Sequence, residues 1–208
     1  MKKIILSAVA VITLAVVSQA QFKIGVKGGI NEENQRVNVT SGTIYASDDF
    51  KSYHAGLIAD ISMGGNFYLQ PQLLFSRKGA THLSLTETRP TEVRMSYVEL
   101  PINVVYKFNL PFAKLFAGAG GAISYGIGGK EQQGSVGSKL YKTSNWKRGD
   151  LSLTFTAGLE FDNGFFVSAN SQKGLRDVYR TDGMSVKSKS VSVSVGYFID
   201  WKKFKRKS

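Results

Sequence analysis

From residue 21 onward, apolar and polar residues alternate with period two in segment after segment, and no sustained 3.6-residue periodicity appears. That pattern predicts strands almost throughout. Eight follow: 22–30, 50–62, 66–77, 93–108, 112–127, 150–162, 164–173 and 186–201. Within 154–167, "TFTAGLEFDNGFFV", Leu159, Phe161, Phe165 and Val167 share an apolar face, while Thr156 and Glu160, with Ser168 just beyond, share a polar one. Which of the two faces meets water decides the architecture.

The connections alternate in length. Met63-Gly64-Gly65, Asn109-Leu110-Pro111 and Asp162-Asn163-Gly164 are short, and Gly and Asn accept the positive φ of hairpin turns. The other connections, 31–49, 78–92, 128–149 and 174–185, are long. Short turns therefore gather at one end and long loops at the other. An even number of strands arranged in this way predicts an all-β fold, an eight-stranded antiparallel up-and-down transmembrane β-barrel.

Charge placement is consistent with a lipid-facing exterior. A Lys or Arg on such a face near the bilayer midplane costs roughly 2–4 kcal/mol, so ionised groups should avoid it. The apolar sets are Phe22, Ile24, Val26; Ala55, Leu57, Ala59, Ile61; Phe67, Leu69, Leu73, Phe75; Val98, Leu100, Ile102, Val104, Tyr106; Leu115, Ala117, Ala119, Ile123; Leu153, Phe155, Ala157, Leu159, Phe161; Phe165, Val167, Ala169; and Val191, Val193, Val195, Tyr197, Ile199. Apart from the two tyrosines, no ionisable group falls among them. The opposite face carries Lys23, Lys27, Asp60, Glu99, Lys107, Lys114, Glu160 and Asp200, with His54, Gln70, Gln72, Asn103, Asn170 and Gln172. These four cations and four anions cancel, and most lie toward the short turns, where one mutually paired layer is expected across a side-chain-filled lumen.

Aromatic residues suggest two girdles. Phe67, Phe108, Phe112, Phe161, Phe165, Phe166, Phe198 and Trp201 lie near the short turns, and Phe50, Tyr53, Tyr97, Tyr125, Tyr141 and Trp146 toward the long loops. Pro71 and Pro101 fall inside strands of a barrel that has no free edge, so a bulge is expected at each.

The N-terminus fits export. Lys2 and Lys3 precede an apolar run from Ile4 to Val17 and the small-residue site Ser18-Gln19-Ala20, the pattern of a signal peptide over 1–20 cleaved after Ala20. The barrel is then expected over 21–201, with a basic periplasmic tail over 202–208. The chain has no cysteine, so rigidity comes from something other than disulfides. Its net charge of +12, or +10 without the two leader lysines, suits anionic lipid or glycolipid rather than nucleic acid.

"NFYLQPQLLFSRKGA" (66–80), "SYVELPINVVYKFNLPFAKLFAGAGGAISYGIGG" (96–129) and "FKIGVKGGIN" (22–31) resemble the outer-membrane β-barrel family abundant in Bacteroidetes, often labelled porin-family or PorT-like. The resemblance spans essentially the whole mature chain. It implies an OmpA/OmpX-like eight-stranded barrel in the bacterial outer membrane and includes both in-strand prolines, but it does not imply transport. One type of member serves a secretion machine. The ending "WKKFKRKS" departs from the usual aromatic C-terminus.

Three constellations invite chemistry. "GAGGAISYGIGGK" (118–130) is not a phosphate loop, because Glu131 follows Lys130 where Ser or Thr is needed; its small residues suit close packing or a bend. His82 and Ser84, with Glu87, Glu92 or Glu99 to orient the imidazole, are similar to the His-x-Ser and Glu of outer-membrane lipid A deacylases. Here the pair lies in a Thr-rich loop without identifiable oxyanion donors, so no catalytic residue is assigned. Two widely spaced histidines and no cysteine likewise assign no metal or cofactor.

The third constellation is loop charge. The first loop is acidic, with Arg36 against Glu32, Glu33, Asp48 and Asp49. The third is basic, Lys130, Lys139, Lys142, Lys147 and Arg148 against Glu131. The fourth, counted over 173–189 to take in its flanks, is also basic, Lys173, Arg176, Arg180, Lys187 and Lys189 against Asp177 and Asp182. Lys139, Lys142, Lys147 and Arg148 are the expected contacts to the phosphorylated core of lipopolysaccharide. The expected role is structural or surface-binding and non-enzymatic; the alternatives are a deacylase-like enzyme and an accessory barrel of a secretion machine. Partner proteins and ligand identity are not specified by these residues.

Overall fold

The computed structural model describes residues 22–39, 42–45, 50–82, 91–133, 136–139, 148–176 and 184–199. They form ten strands: β1 (Phe22–Val39), β2 (Gly42–Tyr45), β3 (Phe50–Gly64), β4 (Phe67–His82), β5 (Thr91–Asn109), β6 (Ala113–Gln133), β7 (Val136–Lys139), β8 (Gly149–Phe161), β9 (Phe165–Gly174) and β10 (Met184–Ile199). Eight are long and antiparallel, in the order β10-β9-β8-β6-β5-β4-β3-β1, and pairing of β1 with β10 closes the barrel. The short β2 and β7 pair only with β1 and β6, extending two hairpins at the loop end. The leader, Asp200, Trp201 and the basic tail lie outside the described residues.

Each strand has its apolar face outward. Along β8, Leu151, Leu153, Phe155 and Ala157 are exposed while Asp150, Ser152, Thr154, Thr156 and Glu160 are buried. The same parity holds for Ile24 and Val26 against Lys27 in β1, and for Leu100, Ile102 and Val104 against Glu99, Asn103 and Lys107 in β5. In water this arrangement would expose a continuous apolar girdle and bury the charges, inverting the economics of a soluble barrel. In lipid it is the low-energy arrangement.

The turns follow the local chemistry. Gly64, Gly65 and Gly164 adopt φ of 107°, 57° and 94°. In the last turn the Gly164 N–H donates to Phe161 O at 2.9 Å, and Phe165 N–H donates to Asn163 Oδ1 at 2.9 Å. Leu110 N–H donates to Ala113 O at 2.8 Å and tightens the turn before β6.

Several expectations need correction. The strands run well past the expected ends, into the supposed loops, because main-chain pairing continues beyond the apolar belt, where both faces are polar. Neither proline carries a bulge. Pairing lapses between Ile58↔Gln72 and Ile61↔Leu69 and resumes in the same register, and it does so again between Pro71↔Ile102 and Leu74↔Glu99. A missing donor removes ladder bonds without requiring an extra residue. The register shifts occur elsewhere, between Ser62 and Gly64 beside a tight turn and between Ser96 and Tyr97 opposite the Gly-rich strand.

That Gly-rich strand has a packing role. A methyl added at Gly118 or Gly120 would overlap the carbonyl oxygens of Val104 or Ile102. It would also meet the side chain of Val105 or Asn103, so the two glycines leave the lumen-facing residues of β5 room to fill the interior.

Candidate functional site in the barrel lumen

At the turn end Lys107 joins two carboxylates from opposite directions. Its Nζ stands 2.7 Å from Asp60 Oδ2 and donates also to Glu160 Oε2, whose other oxygen accepts from Lys23 Nζ at 2.8 Å. Gln70 Nε2 donates to Asp60 Oδ1 at 2.9 Å. Lys107, Asp60 and Glu160 are almost fully buried, whereas the Lys23 side chain is 23% exposed at the mouth. The Lys107 ammonium also lies 4.3 Å from the Tyr68 ring centroid.

Above this layer sits an apolar plug. Phe166 and Phe198 stack at 4.7 Å and bury Ile58 between the walls. Both phenylalanines were expected in the lipid girdle. They fall inside because Phe166 shares parity with Ser168 and Phe198 with Ser194. Tyr97, expected in the other girdle, is likewise buried in the lumen, in phase with Glu99. Phe67, Tyr106 and Phe108 do make an edge-to-face row at the turn end, with centroids 5.0 and 4.5 Å apart.

The outer half of the lumen holds a second set of charges and a polar cavity of about 50 Å³. Lys78 Nζ lies 3.0 Å from Glu99 Oε1, and Ser190 Oγ donates to Glu33 Oε1 at 3.1 Å. Lys27 reaches into this cavity from below and donates to Gln72 Oε1 at 3.1 Å and Asn170 Oδ1 at 3.2 Å. The charges thus form separate levels, not the one layer expected, since Glu99 and Lys27 are remote from the Lys107 cluster. Half-buried Lys114 lies opposite Glu160 in the register, at the rim. Lys78 and Glu33 fall in segments whose sequence suggests loops, yet both lie on strands. Their parity with Ser76 and Gln72, and with Asn31 and Lys27, was the signal that would have found them.

His54 organises one wall. Its Nδ1 is 2.6 Å from Asn31 Oδ1 and its Nε2 is 3.0 Å from Ser194 Oγ. The amide oxygen only accepts, so Nδ1 carries the proton and Nε2 accepts from the hydroxyl. Ser194, His54 and Asn31 thereby repeat the hydrogen-bond order of nucleophile, base and orienter. Ser194 is only 1% exposed and also accepts from Asn170 Nδ2 at 3.1 Å, so its oxygen is a wall contact and not placed to attack a substrate.

The loop candidates are only partly described. Arg148 is exposed, and its carbonyl accepts from Gly126 N–H at 2.7 Å. Lys139 belongs to β7 and sits opposite Lys130 in the register, while Lys142 and Lys147 lie outside the described residues. Ser84 and Glu87 also lie outside. Glu99 cannot orient His82: it sits opposite Leu74, eight residues from His82 along β4, a separation of about 26 Å at the rise of a strand. Among the described residues no cluster of three or more His, Cys, Asp or Glu side chains offers a metal site.

The sequence profile of the outer membrane protein beta-barrel domain matches residues 17–180. A search of curated proteins finds no match. Among solved structures, the outer membrane protein OprG from Pseudomonas aeruginosa aligns over 85% of this chain and 95% of its own, at 10% identity and a TM-score of 0.52. Ail, the attachment invasion locus protein of Yersinia pestis, solved in complex with the heparin analogue sucrose octasulfate, aligns over 86% of this chain and 99% of its own, with 15% identity and a TM-score of 0.46. The outer membrane protease OmpT from Escherichia coli covers 85% and 97% of the two chains at 8% identity and a TM-score of 0.38. At these identities the likeness concerns the fold alone.

Proposed function

The chain belongs to the outer membrane protein beta-barrel domain family, and on that premise we propose that it is a non-conducting, non-catalytic barrel whose long loops bind anionic glycolipid at the outer surface. The observation that carries this reading is the filled lumen: the Lys107–Asp60–Glu160 cluster and the Phe166–Phe198 stack lie across the interior in succession. An eight-stranded barrel is just wide enough for its side chains to fill it, so the working surface is the loop end. Purified barrel inserted in planar bilayers is expected to show no steady conductance. Stable unit steps that persist across preparations would overturn the non-conducting part.

The loop part of the proposal rests on charge. Lys139, Lys142, Lys147 and Arg148 present four cations on one loop, and each cation near an anionic surface contributes about 1 kcal/mol. Replacing each by Gln should weaken lipopolysaccharide binding to the nanodisc-held barrel by about fivefold per residue. The effect should fade as salt shortens the Debye length to a few ångströms. Unchanged binding in the fourfold variant would sink this part.

A further inference from the structure

We propose that the outer lumen cavity is a binding site for one small monovalent anion of chloride size, with Lys27 as its cation. Lys27 is 6% exposed, and among the described residues it has no carboxylate partner. Lys23, Lys78 and Lys107 each hold a carboxylate within 3.0 Å. An ammonium has three N–H donors. Gln72 and Asn170 take two of those of Lys27 through amide oxygens, at the long distances of 3.1 and 3.2 Å. A buried charge without a counter-charge is strongly destabilising, and the third donor belongs to a residue that lines an open polar cavity.

The cavity supplies the rest of a cradle. Gln72 and Asn103 both line it, and both use their amide oxygens within the wall, for Lys27 Nζ and for the Thr154 hydroxyl at 2.5 Å. Their NH2 groups are what they offer to an occupant, so the inner end of the cavity presents donors beside a cation. The acidic groups of the same cavity are engaged elsewhere. Glu99 is held by Lys78 at 3.0 Å. Glu33 accepts from Ser190. The volume of about 50 Å³ leaves room for a halide together with a few waters, since a water needs about 10–15 Å³ on the same measure.

The test uses the folded full-length barrel in detergent. Crystals soaked in sodium bromide should give an anomalous peak about 3.3 Å from Lys27 Nζ, slightly beyond an ordinary N–H···O distance. In solution at constant ionic strength, with gluconate replacing chloride, the melting temperature should rise by about 5–10 °C at a hundredfold excess of chloride over its dissociation constant. Lys27→Met should lose both the peak and the chloride dependence. Asn103→Asp places a carboxylate in the cradle; it should melt higher than wild type at low chloride and no longer respond to the ion, which keeps the test decisive if Lys27→Met fails to fold. A cavity holding only water in the bromide crystal overturns the proposal. So does a bromide peak with no chloride dependence in solution, which would mark binding at crystal concentration only.

Discussion

Replacing Lys107 by Met should destabilise the folded barrel by about 3–5 kcal/mol in a urea titration, because removing one partner of a buried ion pair leaves its carboxylates uncompensated. Among the described residues, Asp60 would keep the neutral Gln70 amide and Glu160 the partly exposed Lys23. Gel mobility before and after heating, which separates folded from unfolded barrels, reports the folded fraction. Combining Lys107→Met with Asp60→Leu and Glu160→Leu should recover most of the loss, since a buried ionic cluster replaced as a unit by apolar side chains is often neutral in stability. Lys23, close to the rim, can then turn its ammonium toward water. Lys114→Met, half-buried at the mouth, should change stability by no more than about 0.5 kcal/mol. If Lys107→Met were as mild as Lys114→Met, the turn-end cluster would not be holding the lumen closed.

The second large effect belongs to the outer face. Phe155, 55% exposed near the middle of β8, should tolerate Arg poorly, with a loss of about 2–4 kcal/mol for a cation at the bilayer midplane. An exposed position on a soluble protein would register within about 0.5 kcal/mol. Refolding titrations of Phe155→Arg into lipid vesicles separate the two cases, and a near-neutral result would mean that this face does not contact hydrocarbon.

Much of this architecture was legible because a strand's side chains alternate strictly. The parity that put Leu153, Phe155 and Ala157 on one face and Thr154, Thr156 and Glu160 on the other survives unchanged in the structure. Strand length was less legible: past Ile30 or Arg77 both faces turn polar, so hydropathy no longer marks where pairing ends, and Glu33 and Lys78 were assigned to loops. For Phe166 and Phe198 aromatic character suggests lipid, whereas their phase puts them inside. Pairing across the lumen was not readable at all. Lys23 meets Glu160 from β1 to β8, across the interior, through a stagger of the strands that no local sequence signal encodes. For the same reason, the separation of Lys27 and Glu99 from the Lys107 cluster emerges only from the closed barrel.

The native chain has no cysteine, so single cysteines introduced one at a time at positions 152–157 can carry a spin label without competing sites. In bilayers, labels at Leu153→Cys, Phe155→Cys and Ala157→Cys should collide readily with dissolved oxygen, which concentrates in the acyl chains. Labels at Ser152→Cys, Thr154→Cys and Thr156→Cys should be shielded from it. Oxygen accessibility alternating in that phase is the predicted result; the opposite phase, or no alternation, would contradict a barrel whose apolar side faces lipid.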